Sequence, residues 1–116
     1  MRRLVPLAVA ALCAIGVPAR AGPVTVVVAT IAGQQFAPPM VVVPQGASLQ
    51  FVQLDPSAPH DLVSSYVVNR KPMFTTGRSA AFGETLMVAG VEKLKPATYP
   101  FTCSIHNWMT GQLIVR

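Results

Sequence analysis

Cysteine and histidine are both scarce, at two each in 116 residues. No apolar run reaches the roughly 20 residues that a membrane-spanning helix needs. The cationic residues have no aromatics interleaved among them, which argues against a nucleic-acid footprint. Eleven prolines and eight glycines interrupt the chain too often for a long helix. There is no internal repeat and no low-complexity segment, and the length allows one domain at most.

The first 21 residues have the marks of a secretory signal. Arg2 and Arg3 form a basic start, residues 4–17 an apolar stretch, and Ala19-Arg20-Ala21 a small-x-small cleavage site. Cleavage after Ala21 leaves 22–116 as the mature domain and places it in the periplasm; a retained N-terminal anchor is the alternative. Lipid attachment at Cys13 is disfavoured because bulky Leu12 precedes it. Cleavage removes Arg2, Arg3 and Arg20 from nine cations, leaving six against four acids, a net charge of +2. The remaining Arg70, Lys71, Arg78, Lys93, Lys95 and Arg116 are spread along the sequence, though a mildly basic face could still steer an acidic protein partner. Cys13 leaves too, so Cys103 stands alone. A single thiol in an oxidising compartment is buried and inert, paired between chains, a nucleophile, or a metal ligand.

What is present is β-sheet patterning. Residues 24–31 are rich in β-branched side chains, and 40–43 form a short run ended by Pro44-Gln45-Gly46. Residues 48–54 alternate apolar with polar, the period of a half-buried strand. Further strands are expected over 61–68, 85–88, 99–103 and 112–115, with turns at Gly33, Pro38-Pro39, Asp55-Pro56, Gly77, Gly90 and Pro96. Residues 70–83 are the least patterned and are expected to form a loop or a short helix. Such short, regularly punctuated strands predict an all-β sandwich or small barrel of antiparallel type.

The chemistry concentrates in residues 99–111, Y-P-F-T-C-S-I-H-N-W-M-T-G. Cys103, His106 and Met109 form C-x2-H-x2-M. Thiolate, imidazole and thioether make a soft donor set, which suits copper, and a His2Cys site with a weak axial Met needs one more imidazole. The only other histidine is His60, in D-P-S-A-P-H-D-L-V. The two loops would have to meet at one pole of the sandwich. A buried Cys as a small hydrophobe, two incidental histidines and a core Met are the plainer readings of the same residues.

Residues 94–115, L-K-P-A-T-Y-P-F-T-C-S-I-H-N-W-M-T-G-Q-L-I-V, resemble the C-terminal loop and last strand of the cupredoxins, the small blue copper proteins. Upstream, F-A-P-P-M-V-V-V-P-Q-G-A-S-L-Q-F-V-Q-L-D-P-S-A-P-H-D-L-V resembles the family's first half, and the short C-x2-H-x2-M spacing is most similar to amicyanin. The resemblance implies a Greek-key β-sandwich of about seven to eight strands, His60, Cys103 and His106 as equatorial copper ligands, and Met109 as the axial one. Two positions depart from the family pattern. Ala97 replaces a glycine, and Asp61 replaces an asparagine that ties the two ligand loops together. Asp61 could accept a hydrogen bond from Ser104 and lower the reduction potential, or be a solvated turn residue. Phe36, Phe51, Phe82, Tyr99 and Phe101 are expected to pack core and loops. Trp108 either belongs to a docking patch or shields the metal.

The function this implies is one-electron transfer by one copper per chain, without catalysis, between redox proteins such as a c-type cytochrome or a periplasmic oxidoreductase. A copper carrier using the same residues without redox partners is the alternative. Two histidines exclude the paired H-x-H motifs of multicopper oxidases, and one cysteine excludes the binuclear centre of respiratory oxidases. A hydrolase built on Cys103 and His60 would leave His106 and Met109 without a role. No nucleic acid, no stable membrane insertion after cleavage, and a monomer are expected.

Overall fold

The computed structural model describes residues 24–116, so the expected signal segment lies outside the described residues. Two four-stranded sheets face each other. The first has the order β2-β1-β4-β8, from β1 (Thr25–Ile31), β2 (Gln35–Ala37), β4 (Ser48–Gln53) and β8 (Thr85–Met87). The second has the order β3-β10-β9-β5, from β3 (Met40–Val43), β5 (Val63–Ser64), β9 (Ala97–Thr102) and β10 (Thr110–Val115). A hairpin of β6 (Val67–Val68) and β7 (Lys71–Pro72) stands beside them. The eight-stranded sandwich agrees with the sequence. The antiparallel expectation needs correction, because β1 pairs β4 and β3 pairs β10 in parallel. Each parallel pair arises because the chain crosses between sheets, β2 to β3 and β3 to β4, before returning.

Alternation places the core. In β4 every second residue is buried, putting Leu49, Phe51 and Gln53 inside. β9 turns Tyr99 and Phe101 inward, and the same alternation carries Cys103 into the interior just past its end. Phe36 joins the sheets: its ring meets Phe101 edge-on at 4.9 Å and Phe51 at 6.4 Å, geometry that adds about 0.5–1.5 kcal/mol per pair beyond area burial. Phe36, Phe51, Tyr99 and Phe101 are core residues as expected. Phe82 is not: it is 64% exposed on a turn, since the segment before β8 is held by polar contacts instead. There Glu84 accepts from the Arg78 guanidinium and from the Ala81 N–H.

The expected strand over 61–68 is broken at Ser65 and Tyr66. The Ser64 hydroxyl accepts from the Tyr66 N–H and donates to the Tyr66 carbonyl, which turns the chain out into the β6–β7 hairpin. The expected loop or short helix of 70–83 is the return arm of that hairpin followed by turns. One short 3-10 helix, Val91–Lys93, lies before β9.

β4 and β9 run toward the same end of the sandwich, where residues 54–62 and 103–109 form neighbouring loops. Asp55-Pro56 stops β4, because proline cannot continue the ladder. At the other end Gly90 holds φ 104° with its Cα against the Met73 carbonyl. A Cβ there would collide with backbone and occupy disfavoured φ. Gly90→Ala is expected to destabilise the fold by about 2 kcal/mol or more, read from the midpoint of chemical denaturation.

Candidate metal centre

The loop after β4 brings His60 into the interior, fully buried, and the loop after β9 brings Cys103, also fully buried, and half-buried His106. Their donor atoms form a triangle. His60 Nδ1 lies 3.1 Å from His106 Nδ1 and 3.8 Å from Cys103 Sγ, and His106 Nδ1 lies 3.7 Å from that sulfur. Four of the expected site residues are on these two loops, and three of them converge on one point. Met109, the fourth, is buried at the end of the second loop. Its N–H donates to the His106 carbonyl and its carbonyl accepts from the Cys103 N–H, at 2.9 and 3.2 Å. These bonds close 103–109 into a rigid turn.

The orientation of His60 is set from behind. Its Nε2 lies 2.7 Å from Asp55 Oδ2, and both groups are fully buried. An ionised carboxylate only accepts, so Nε2 carries the proton and Nδ1 presents its lone pair to the triangle. The other oxygen of Asp55 accepts from the Ser57 N–H and hydroxyl, at 2.9 and 2.7 Å. The Ser57 hydroxyl first, and His60 second, hold the Asp55 carboxyl down at about 2, so it stays ionised at any physiological pH.

Behind Asp55 sits Gln53, an amide at an inward strand position. Its Oε1 accepts from the Thr30 hydroxyl at 2.8 Å and from the Asp55 N–H at 2.6 Å. Its Nε2 donates to the carbonyls of Asp55 and Ala58, at 3.0 and 2.8 Å. All four hydrogen-bonding positions of the amide are filled, which is what its complete burial requires. The loop carrying His60 is thereby pinned to β1 and β4. Sequence reading took D-P-S only as a turn and missed Asp55, Gln53 and Thr30. A polar residue at an inward position of an alternating strand was the available signal for Gln53.

The two loops are also tied to each other. Asp61, 7% exposed, accepts from the Ser104 N–H at 2.7 Å through one oxygen and from the Ser104 hydroxyl through the other. The expected Asp61–Ser104 bond is therefore present, and Asp61 is no solvated turn residue. Trp108 is 64% exposed, with its ring centroid 5.2 Å from that of His106. Ile105 is exposed beside it.

The residues fit a metal ion. Two imidazole nitrogens and a thiol sulfur crowd within 3.1–3.8 Å of one another, an arrangement that a bound cation stabilises. Donors about 2.0–2.3 Å from a shared transition-metal-sized ion in a trigonal plane stand roughly 3.5–4 Å apart, close to the separations here. The softness of the set, imidazoles with a thiolate, selects copper over a hard cation.

The profile of the Cupredoxin-like domain family matches residues 5–115. The chain belongs to that family. No curated protein matches the chain significantly. Among solved structures it is similar to a purple cupredoxin from Nitrosopumilus maritimus, with a TM-score of 0.63 and 22% identity over 78% of this chain and 98% of that one. It is similar to a reduced single-site variant of amicyanin, with a TM-score of 0.65 and 19% identity over 84% of this chain and 88% of that one. A copper-containing nitrite reductase from Thermus scotoductus SA-01 gives a TM-score of 0.62 and 29% identity over 97% of this chain but 25% of the reductase. Cupredoxin architecture and a His–Cys–His cluster together support one copper per chain.

Two outcomes follow for this cupredoxin. Asp55→Ala is expected to weaken copper affinity by about 10–100-fold, since groups that orient a metal-binding histidine carry that much; competition titration against a chelator reads it. Asp61→Asn removes a negative charge beside the site and is expected to raise the reduction potential by on the order of tens of millivolts, measured by voltammetry.

Proposed function

We propose that this chain is an exported cupredoxin that carries single electrons between redox proteins, with His60, Cys103 and His106 as equatorial copper ligands and Met109 as the axial one. The observation that carries the reading is the convergence of two imidazole nitrogens and a thiol sulfur within 3.1–3.8 Å on two loops braced from behind. Copper bound there supplies a one-electron couple. The protein holds the donors in one geometry through Asp55, Gln53 and Asp61, so that little moves when the charge at the site changes. Cys103, fully buried, is kept from disulfide chemistry by its surroundings.

His106 is the least buried of the three, and the exposed side chains of Ile105 and Trp108 surround it. This small apolar surface suits brief encounters, as transient redox interfaces tend to be small. A c-type cytochrome or a periplasmic oxidoreductase is the partner class. No substrate bond is made or broken in this role, so the protein acts as a carrier and not as an enzyme. Residues 1–21 act as the signal that sends residues 22–116 to the periplasm, where the chain works as a monomer.

Titration of residues 22–116 with Cu(II) is expected to give an intense visible thiolate-to-copper band that saturates at one equivalent and is absent in Cys103→Ala. Mixing with a reduced c-type cytochrome then separates the two uses of such a site. Rapid electron exchange supports the electron carrier, whereas tight, transferable Cu(I) without exchange would assign a copper carrier. A colourless protein would overturn both.

A further inference from the structure

The charges of the described residues are sorted by the two ends of the sandwich. Three of the four acids, Asp55, Asp61 and Glu84, lie at the end holding the His60–Cys103–His106 triangle. They are engaged by His60, Ser104 and Arg78. Arg78 is the one cation there. The other five cations, Arg70, Lys71, Lys93, Lys95 and Arg116, make no ion pair among the described residues, and the topology takes all five to the opposite end.

Each placement follows from register. Lys93 and Lys95 precede β9, whose far end leads to Cys103. Arg116 follows Val115, which pairs with Ala97 at the start of β9. The hairpin runs antiparallel to β9: Ser64 pairs with Phe101, the Ser65 N–H donates to the Pro100 carbonyl, and the Tyr66 ring meets that of Tyr99. As far as Tyr66 the chain therefore steps toward Lys95, whose carbonyl accepts from the Tyr99 hydroxyl at 2.7 Å. That direction points the hairpin of Val67–Val68 and Lys71–Pro72, with Asn69 and Arg70 at its tip, toward the basic end. The return arm lies against Gly90, next to the 3-10 helix that holds Lys93. Glu92 is the only acid at this end.

Two further features distinguish this end from a simple cationic patch. Tyr66, Val67 and Val68 are exposed in the segment leading into and forming the hairpin, with Val67 60% exposed. Arg70 holds φ 66°, a left-handed conformation that a hairpin turn ordinarily fills with glycine, so a cation occupies the tip at a conformational cost.

We propose that the end of the sandwich bearing Arg70, Lys71, Lys93, Lys95 and Arg116 rests on an anionic lipid bilayer, holding the His60–Cys103–His106 end away from it toward solution. Lipid phosphates attract the cations, and the exposed Val67, Val68 and Tyr66 reach the headgroup boundary, where apolar and aromatic side chains are favoured. An acidic protein would match the cations equally well. The exposed apolar side chains of the hairpin favour the bilayer. The inference does not depend on metal occupancy.

The test uses copper-loaded residues 22–116, which contain every element described, and vesicles of phosphatidylcholine with or without about 30% phosphatidylglycerol. Cosedimentation at low salt is expected to show at least about tenfold stronger partition onto the anionic vesicles, weakened but still measurable near physiological ionic strength. Arg70→Gln/Lys71→Gln/Lys93→Gln/Lys95→Gln is expected to abolish the difference while keeping the visible spectrum of the parent. Trp108, the single tryptophan, sits at the metal end and reports orientation: in the Cu(I) form its emission should be untouched by a headgroup-attached quencher lipid. Equal partition onto both vesicle types, salt-insensitive binding, or quenched Trp108 would overturn the proposal. Binding of a glutamate oligopeptide without binding of vesicles would also overturn it and assign this end to an acidic protein.

Discussion

The buried bond between the Asp55 carboxylate and the His60 imidazole is the constraint on which the metal end depends. A histidine can present either ring nitrogen, and a buried imidazole with no partner for its N–H is costly. Asp55 settles both matters, fixing which nitrogen carries the proton and where the free lone pair points. The carboxylate is itself held by Ser57, and its backbone by Gln53, whose amide reaches Thr30 on the neighbouring strand. The chain Thr30–Gln53–Asp55–His60 transmits the rigidity of the first sheet to one corner of the donor triangle.

The second sheet supplies the other two corners by a different device. Cys103 inherits its inward direction from the alternation of β9, and His106 follows because the Met109 backbone closes the loop onto Cys103 and His106. Asp61 then joins the two arrangements, bonding Ser104 with both carboxylate oxygens. Both acids near the triangle are thus committed to protein hydrogen bonds and shape the site from outside it. The cations of the opposite end have only Glu92 among them, and the molecule acquires opposite charge at its two poles.

Much of this was legible in the sequence, for identifiable reasons. The alternation of residues 48–54 and the β-branched run before Gly33 announced strands of the first sheet, and Y-P-F-T-C announced β9. The C-x2-H-x2-M spacing with a second histidine after proline announced the loops that converge. Much of what was not legible depended on contacts distant in sequence. Parallel pairing of β1 with β4 leaves no mark on either strand. The hairpin at 67–72 was hidden because Ser64 breaks the strand through its side chain, a local effect that apolar patterning does not register. Phe82 was read as packing core and loops, but it is 64% exposed and lies outside the core, beside Pro56, Ala58 and Pro59 at the surface. The basic end was invisible because its five cations are scattered along the chain and gathered only by the register of β9, β10 and the hairpin.

The account rests on the claim that His60, Cys103 and His106 share one copper ion. The most direct measurement is X-ray absorption at the copper edge for residues 22–116 loaded with one equivalent, alongside the Cys103→Ala and His60→Ala variants. The account predicts a first shell of two nitrogens and one short sulfur, losing the sulfur in the first variant and a nitrogen in the second. A shell of nitrogen and oxygen alone in the parent protein, unchanged by either substitution, would contradict it.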